Sequence, residues 1–167
     1  MSESSAEQPV LTPARFEDGR GLIIAGFGER FTLETASGIP ALWQEFAPFL
    51  GKVPGQQGIV SYGVCCHPDG HGGFEYIAGV EVNTLEGLPE AFRTVQLTPQ
   101  HYAVFEHQGH ISTIGQTFKA IWQQWLPGSD YETADAPEYE RYGEHFEALT
   151  GTGGLEIWLP VRPKAQA

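Results

Sequence analysis

Positive charge is scarce in this sequence. Nine Lys and Arg stand against 21 Asp and Glu in 167 residues, for a formal net charge of −12. A phosphate backbone is gripped by a clustered basic face, so this balance argues against direct nucleic-acid binding. It favours the approach of cationic small molecules. Sulfur is sparse as well, since the two cysteines, Cys65 and Cys66, are adjacent. Strand neighbours point to opposite faces, so the pair indicates neither a disulfide framework nor a metal cluster, and both read as reduced thiols. Of the histidines (His67, His71, His101, His107, His110 and His145), His67 and His71 fall in a glycine-rich loop and His107 and His110 cross a strand end, so neither pair presents the helical face of a zinc helix. No apolar run approaches the ~20 residues of a membrane span. Met1 to Pro13 lacks the basic and apolar regions of a secretory signal, so a cytoplasmic location is expected. Phosphate loop, dinucleotide fingerprint and nucleophile elbow are all missing, and no cofactor or metal is indicated.

What is present is repetition. Phe74-Glu75-Tyr76-Ile77-Ala78-Gly79-Val80 is echoed by Leu155-Glu156-Ile157-Trp158-Leu159-Pro160-Val161. Tyr62-Gly63 is echoed by Tyr142-Gly143, and Leu42-Trp43-Gln44-Glu45-Phe46 by Ile121-Trp122-Gln123-Gln124-Trp125. An offset of about 80, near half the chain, implies one unit used twice about a pseudo-two-fold axis, with a cleft between the copies.

Local patterns give the unit its content. Gly21 to Thr32 reads as a strand, and Ser37-Gly38-Ile39-Pro40 as a helix start. Leu42, Trp43, Phe46, Phe49 and Leu50 follow at helical steps. Ile59 to Cys66 and Phe74 to Val82 form a hairpin around a histidine- and glycine-containing loop. The order then recurs: strands around Phe92 to Leu97 and His101 to His107, a helix striped by Ile114, Phe118, Ile121, Trp122 and Trp125, and a hairpin of Glu138 to Tyr142 with Leu155 to Val161. The expected fold class is α+β: two strand-helix-strand-strand modules about a pseudo-two-fold axis, with a curved antiparallel sheet and two main helices. Residues 1–13 are expected to be a flexible tail, 14–163 a single domain with pseudo-repeats about 14–86 and 87–163, and 164–167 a stub.

Ile39-Pro40-Ala41-Leu42-Trp43, Phe74 to Val80, Tyr102-Ala103-Val104-Phe105, Trp125-Leu126-Pro127 with Ser129, and Glu156 to Val161 together resemble the GyrI-like small-molecule-binding family, which includes the effector-binding domain of AraC-type bacterial transcription regulators. The similarity runs from about Arg15 to Pro163. It implies a ligand groove between the modules, a multidrug or effector sensor, and a carboxylate at Glu156 that meets a cationic ligand. Some stand-alone members modulate gyrase and some hydrolyse strained cyclopropane-containing toxins. The regulators' basic helix-turn-helix domain finds no room beside Met1 to Pro13 or Lys164 to Ala167, so direct transcriptional control by this chain is not expected.

On its strand Glu156 shares a face with Trp158, and a carboxylate beside an indole suits a cation. The expected ligand-binding residues are Glu156, Trp158, Tyr76, Trp43, Tyr102, Tyr142 and, as repeat partner, Glu75. The function read from this is a binding module for amphipathic, cationic aromatic molecules. The alternatives are a hydrolase in the same groove, with Glu156 or Glu75 as base and Tyr76 as acid, or a gyrase modulator or partner of a regulator. Monomer and homodimer both stay open.

Overall fold

The computed structural model describes residues 11–147 and 151–165. Most of the expected tail and part of the expected stub lie outside them. Leu11 is partly buried against the second helix's core. Among the described residues no helix is long and apolar enough to cross a membrane.

Nine strands form one antiparallel system. In chain order they are β1 (Arg15–Gly19), β2 (Leu22–Phe31), β3 (Gln56–Cys66), β4 (Phe74–Val82), β5 (Arg93–Leu97), β6 (Gln100–Glu106), β7 (Tyr131–Thr133), β8 (Glu138–Tyr142) and β9 (Leu155–Pro163). The spatial order is β1-β6-β9-β8-β3-β4-β2-β5, with β7 paired to the end of β9. The pseudo-two-fold axis passes between β8 and β3, because β6-β9-β8 on one side mirrors β2-β4-β3 on the other. Between β2 and β3 lies helix α1 (Ile39–Phe46). Between β6 and β7 lies α2 (Ile114–Ala120), which widens into a π-helical turn over Ile121–Trp125 and ends on Leu126–Gly128.

Chain connectivity forces the sheet to curl. Arg20 and Gly21 alone join β1, at one end, to β2 near the other, and Thr98 and Pro99 alone join β5 to β6. Two linking residues reach no more than about 10 Å, so both ends of the sheet must come together. The curled face fills with apolar groups from every part: Leu22, Ile24 and Leu97 meet Tyr102, Val104 and Trp158 across Val64, Ile77 and Tyr139. Gly26 and Gly79 face each other on β2 and β4. A Cβ on Gly26 would stand 1.9 Å from the Ala78 carbonyl oxygen, so the close backbone approach tolerates no side chain.

On the outer face the core is divided. Under α1, Leu42 and Phe46 pack on Ala25, Phe31, Tyr76, Ala78 and Val80. Under α2, Ile121 with Phe118 and Trp125 packs on Ala103, Phe105, Ile157 and Leu159. The helical steps of the sequence set these stripes, and Pro40 sits in the first turn of α1, where its missing N–H costs nothing. Neither helix has a side-chain N-cap bond; the His110 ring instead accepts from Ser112 N in the turn before α2.

Two expectations need correction. The strands β1 and β7 carry too few apolar residues to be seen in the sequence. The Tyr62/Tyr142 echo is not a structural repeat either. Cys66 stands opposite Glu75 and Arg141 opposite Glu156, so β3 and β8 correspond 75 positions apart, from Cys66 to Arg141. Tyr62 belongs to the curled face, whereas Tyr142 lies beside Trp43 of α1.

Candidate functional site

The two central strands run between the two helical cores. Alternation places Gly63 and Cys65 of β3, and Glu138, Glu140 and Tyr142 of β8, on the helix side of this strip. Their neighbours Tyr62, Val64 and Tyr139 face the other way into the curled core. The helices border the strip, and each contributes a tryptophan from the repeated helical motif: Trp43 from α1 and Trp122 from the π-helical turn.

Glu140 is the centre of this strip. It is 7% exposed, and a buried carboxylate needs hydrogen bonds to persist. Tyr76 reaches over from β4 and donates its hydroxyl to Glu140 Oε1 at 2.7 Å, and Tyr142 donates to the same oxygen. Trp43 Nε1 donates to the Tyr76 hydroxyl at 2.9 Å, completing a relay from α1 to β8. Among the described residues no hydrogen bond reaches Glu140 Oε2. The relay depends on Gly63, where a Cβ would lie 1.9 Å from the Tyr76 hydroxyl and 2.7 Å from Glu140 Oε1.

Burial raises the Glu140 pKa, and the two phenol bonds only partly offset it. Burial likewise pushes Glu138 up to about 7, against a long 3.4 Å bond from Trp122 Nε1, with the nearby Glu140 charge adding to the rise. Burial first, then the Glu140 charge, raises Tyr76 and Tyr142, so both stay protonated donors at neutral pH. The strip therefore holds two carboxylates that burial makes costly to ionise, beside the indoles of Trp43 and Trp122.

Three of the seven expected site residues meet here: Trp43, Tyr76 and Tyr142. The other four lie on the opposite face of the sheet. Glu156 takes two bonds from Arg15, Nη1 to Oε2 at 2.9 Å and Nη2 to Oε1 at 3.2 Å, and one from Trp158 Nε1 at 2.9 Å. Arg15 also lies 5.7 Å from the centre of the Trp158 ring. The expected carboxylate and indole do form a cation site, and the chain's own Arg15 occupies it. Burial works against ionisation of Glu156, but the Arg15 and Trp158 bonds outweigh it and hold the pKa low. Trp158 stacks on Tyr139 and meets Tyr102 edge-on, both within the curled core. Glu75 repeats the theme. Burial is again opposed, here by Arg93 Nε and the His67 ring, with a net lowering of the pKa. Each duplicated glutamate thus clamps an arginine from an outermost strand, β1 or β5, onto its module.

Glu138, Glu140, Trp122 and Gly63 were not among the expected site residues. The signal of the first two was available in Glu138-Tyr139-Glu140-Arg141-Tyr142, where two carboxylates share a face with a tyrosine. Two surface hollows occur elsewhere, one between Asp18, His101, Tyr131 and Arg162 and one between Glu106 to Gly109 and Thr152 to Glu156. Both are open depressions, and neither joins a buried carboxylate to aromatic walls.

Known proteins share this arrangement of strands and helices. The transcriptional regulator BrlR of Pseudomonas aeruginosa is 31% identical over 125 residues, covering 74% of this chain and 46% of BrlR. The chain thus spans less than half the length of that relative. The structure of SAV2435 bound to tetraphenylphosphonium matches with a TM-score of 0.73 at 19% identity, over 89% of this chain and 93% of that one. EcmrR in a complex with DNA matches with a TM-score of 0.65 at 14% identity, over 96% of this chain and 61% of that one. At such identities the structural matches establish the fold alone. The profile of the GyrI-like small molecule binding domain aligns with residues 13–162, and on that match the chain belongs to the GyrI-like small-molecule-binding domain family.

Proposed function

We propose that a groove between α1 and α2 binds amphipathic organic cations that carry aromatic groups, with Glu140 and Glu138 as counter-charge and Trp43, Trp122, Tyr76 and Tyr142 as aromatic surroundings. One observation carries the reading: Glu140 is buried, held by two phenols on one oxygen, and among the described residues accepts no hydrogen bond on its second oxygen. Such a carboxylate costs several kcal/mol of solvation to keep charged, and a cation with its own apolar surface recovers part of that cost. The partner structure with tetraphenylphosphonium supports the class, because that ligand is a permanent cation wrapped in aryl rings.

This module would serve as a sensor within transcription regulation, the setting that the names of BrlR and the EcmrR–DNA complex give those relatives. Its two free thiols suit a reducing cytoplasm. Titration of tryptophan fluorescence with tetraphenylphosphonium tests the site. The isosteric Glu140→Gln should weaken binding about tenfold or more, the worth of a charge-assisted contact. Unchanged affinity in that variant refutes the assignment.

A further inference from the structure

A second constellation lies on the opposite face, where β3 turns into β4. Cys66 ends β3, His67 opens the hairpin loop, and Glu75 stands directly across from Cys66 on β4. One donor atom from each lies within 4.8 Å of the other two, and among the described residues no other group of three or more His, Cys, Asp or Glu side chains meets that spacing. Cys66 and Glu75 are each 2% exposed, so the sheet already fixes two of the donors. The His67 side chain is 56% exposed and can close on them from solvent.

We propose that Cys66, His67 and Glu75 form a binding site for a borderline-soft divalent cation of the zinc class, with water at the fourth position. Thiolate, imidazole and carboxylate make a donor set zinc accepts, and three protein ligands plus water is one of its recurring arrangements. Zinc bonds of about 2.0 to 2.3 Å put tetrahedral ligand atoms roughly 3.5 Å apart. Shifts of about 1 Å bring the three atoms to that spacing. His67 Nδ1 and Glu75 Oε1 already meet at 2.7 Å through a shared proton, which the cation would replace.

The surroundings act as an orienting shell. Arg93 Nε bonds Glu75 Oε2 and leaves Oε1 directed at His67, which is how the partners of metal-bound carboxylates behave. Arg30 Nη2 donates to the His67 carbonyl at 2.8 Å and fixes its backbone. His67 is the only described non-glycine residue with positive φ, at 50°. Gly70, Gly72 and Gly73 lie in the same loop, so the chain spends a left-handed position on an imidazole where glycine would cost less. Cys65 points away, into the groove, so this site and the ligand groove can be tested apart.

The experiment uses the full chain, stripped of metal by chelation and titrated with Co²⁺. Saturation at one equivalent with a thiolate-to-cobalt charge-transfer band, reversed by Zn²⁺, is expected. Cys66→Ser should abolish the band. His67→Ala, at an exposed side chain that leaves the core intact, should weaken Co²⁺ binding about tenfold or more. His71→Ala, in the same loop, should leave it unchanged. No band at one equivalent, or a band that survives both Cys66→Ser and His67→Ala, overturns the proposal. Folding of each variant is followed by circular dichroism. If Cys66→Ser does not fold, the His67→Ala and His71→Ala pair decides.

Discussion

The Tyr76 hydroxyl, carried by β4 of the first module, donates a 2.7 Å hydrogen bond to the Glu140 carboxylate on β8 of the second. It passes over Gly63, whose hydrogen is all that separates β3 from the bond. The Glu140 carboxyl is therefore held by both halves of the molecule, and the arrangement rests on Gly63, which supplies no side chain to it.

Gly63→Ala should break that bond. Its methyl would fall 1.9 Å from the phenol oxygen, and Tyr76, 1% exposed, has no room to retreat. Leaving Glu140 with one phenol and overpacking the strip should cost about 1–3 kcal/mol. Urea unfolding and tetraphenylphosphonium titration should both show the loss, and wild-type values in both would contradict the relay.

Affinity for a cation should rise with pH through neutrality. Glu138 titrates at about 7 because burial disfavours its charge, so below that pH it is neutral and attracts no cation. Stability runs the other way. The folded state holds this proton more tightly than the unfolded chain, so the stabilisation is complete below about pH 4, near the unfolded value, and declines as pH rises through about 7. Glu140 is shifted in the same direction. Titrations at about pH 6 and about pH 8 should differ in the native protein and converge in Glu138→Gln. An equal pH slope in both would place the titrating group elsewhere.

Glu156→Gln should separate structure from binding. It weakens the clamp on Arg15, whose side chain is 38% exposed, so the loss should be about 1 kcal/mol after solvent screening. Tetraphenylphosphonium affinity should stay at the native level. The native pKa is low, so this contribution is present above about pH 4, the unfolded value, and disappears as pH falls through the depressed folded one. A large loss of ligand affinity with stability intact would return Glu156 to the binding site.

Trp122→Ala should do the reverse. The indole is 42% exposed, so removing it costs little stability. As one wall of a cation site it contributes about 1 kcal/mol, and affinity should fall roughly five- to tenfold. Equal affinities by calorimetry would remove α2 from the groove.

Much of the architecture was legible. Helical steps marked α1 and α2, alternation marked β3, β4, β8 and β9, and the duplicated Glu75 and Glu156 announced two modules. β1 and β7 were not, since five and three residues with little apolar pattern resemble loops. Trp43, Tyr76 and Tyr142 stood among the expected residues, whereas Glu140, which both phenols hydrogen-bond, did not, although the alternation of Glu138 to Tyr142 carried its signal.

The sequence by itself determined which side chains share a face, because strand and helix periods are local consequences of backbone geometry. Which face the helices would cover, and hence which carboxylates lie beside them, was decided only in three dimensions. The two faces of an isolated strand are equivalent until packing distinguishes them. The partner that neutralises Glu156 is Arg15, at the other end of the chain, and only the pairing of β1 and β9 on either side of β6 brings them together. Strand pairing places Glu140 on the helix side of the sheet, where among the described residues it has the phenols of Tyr76 and Tyr142 and no cationic partner.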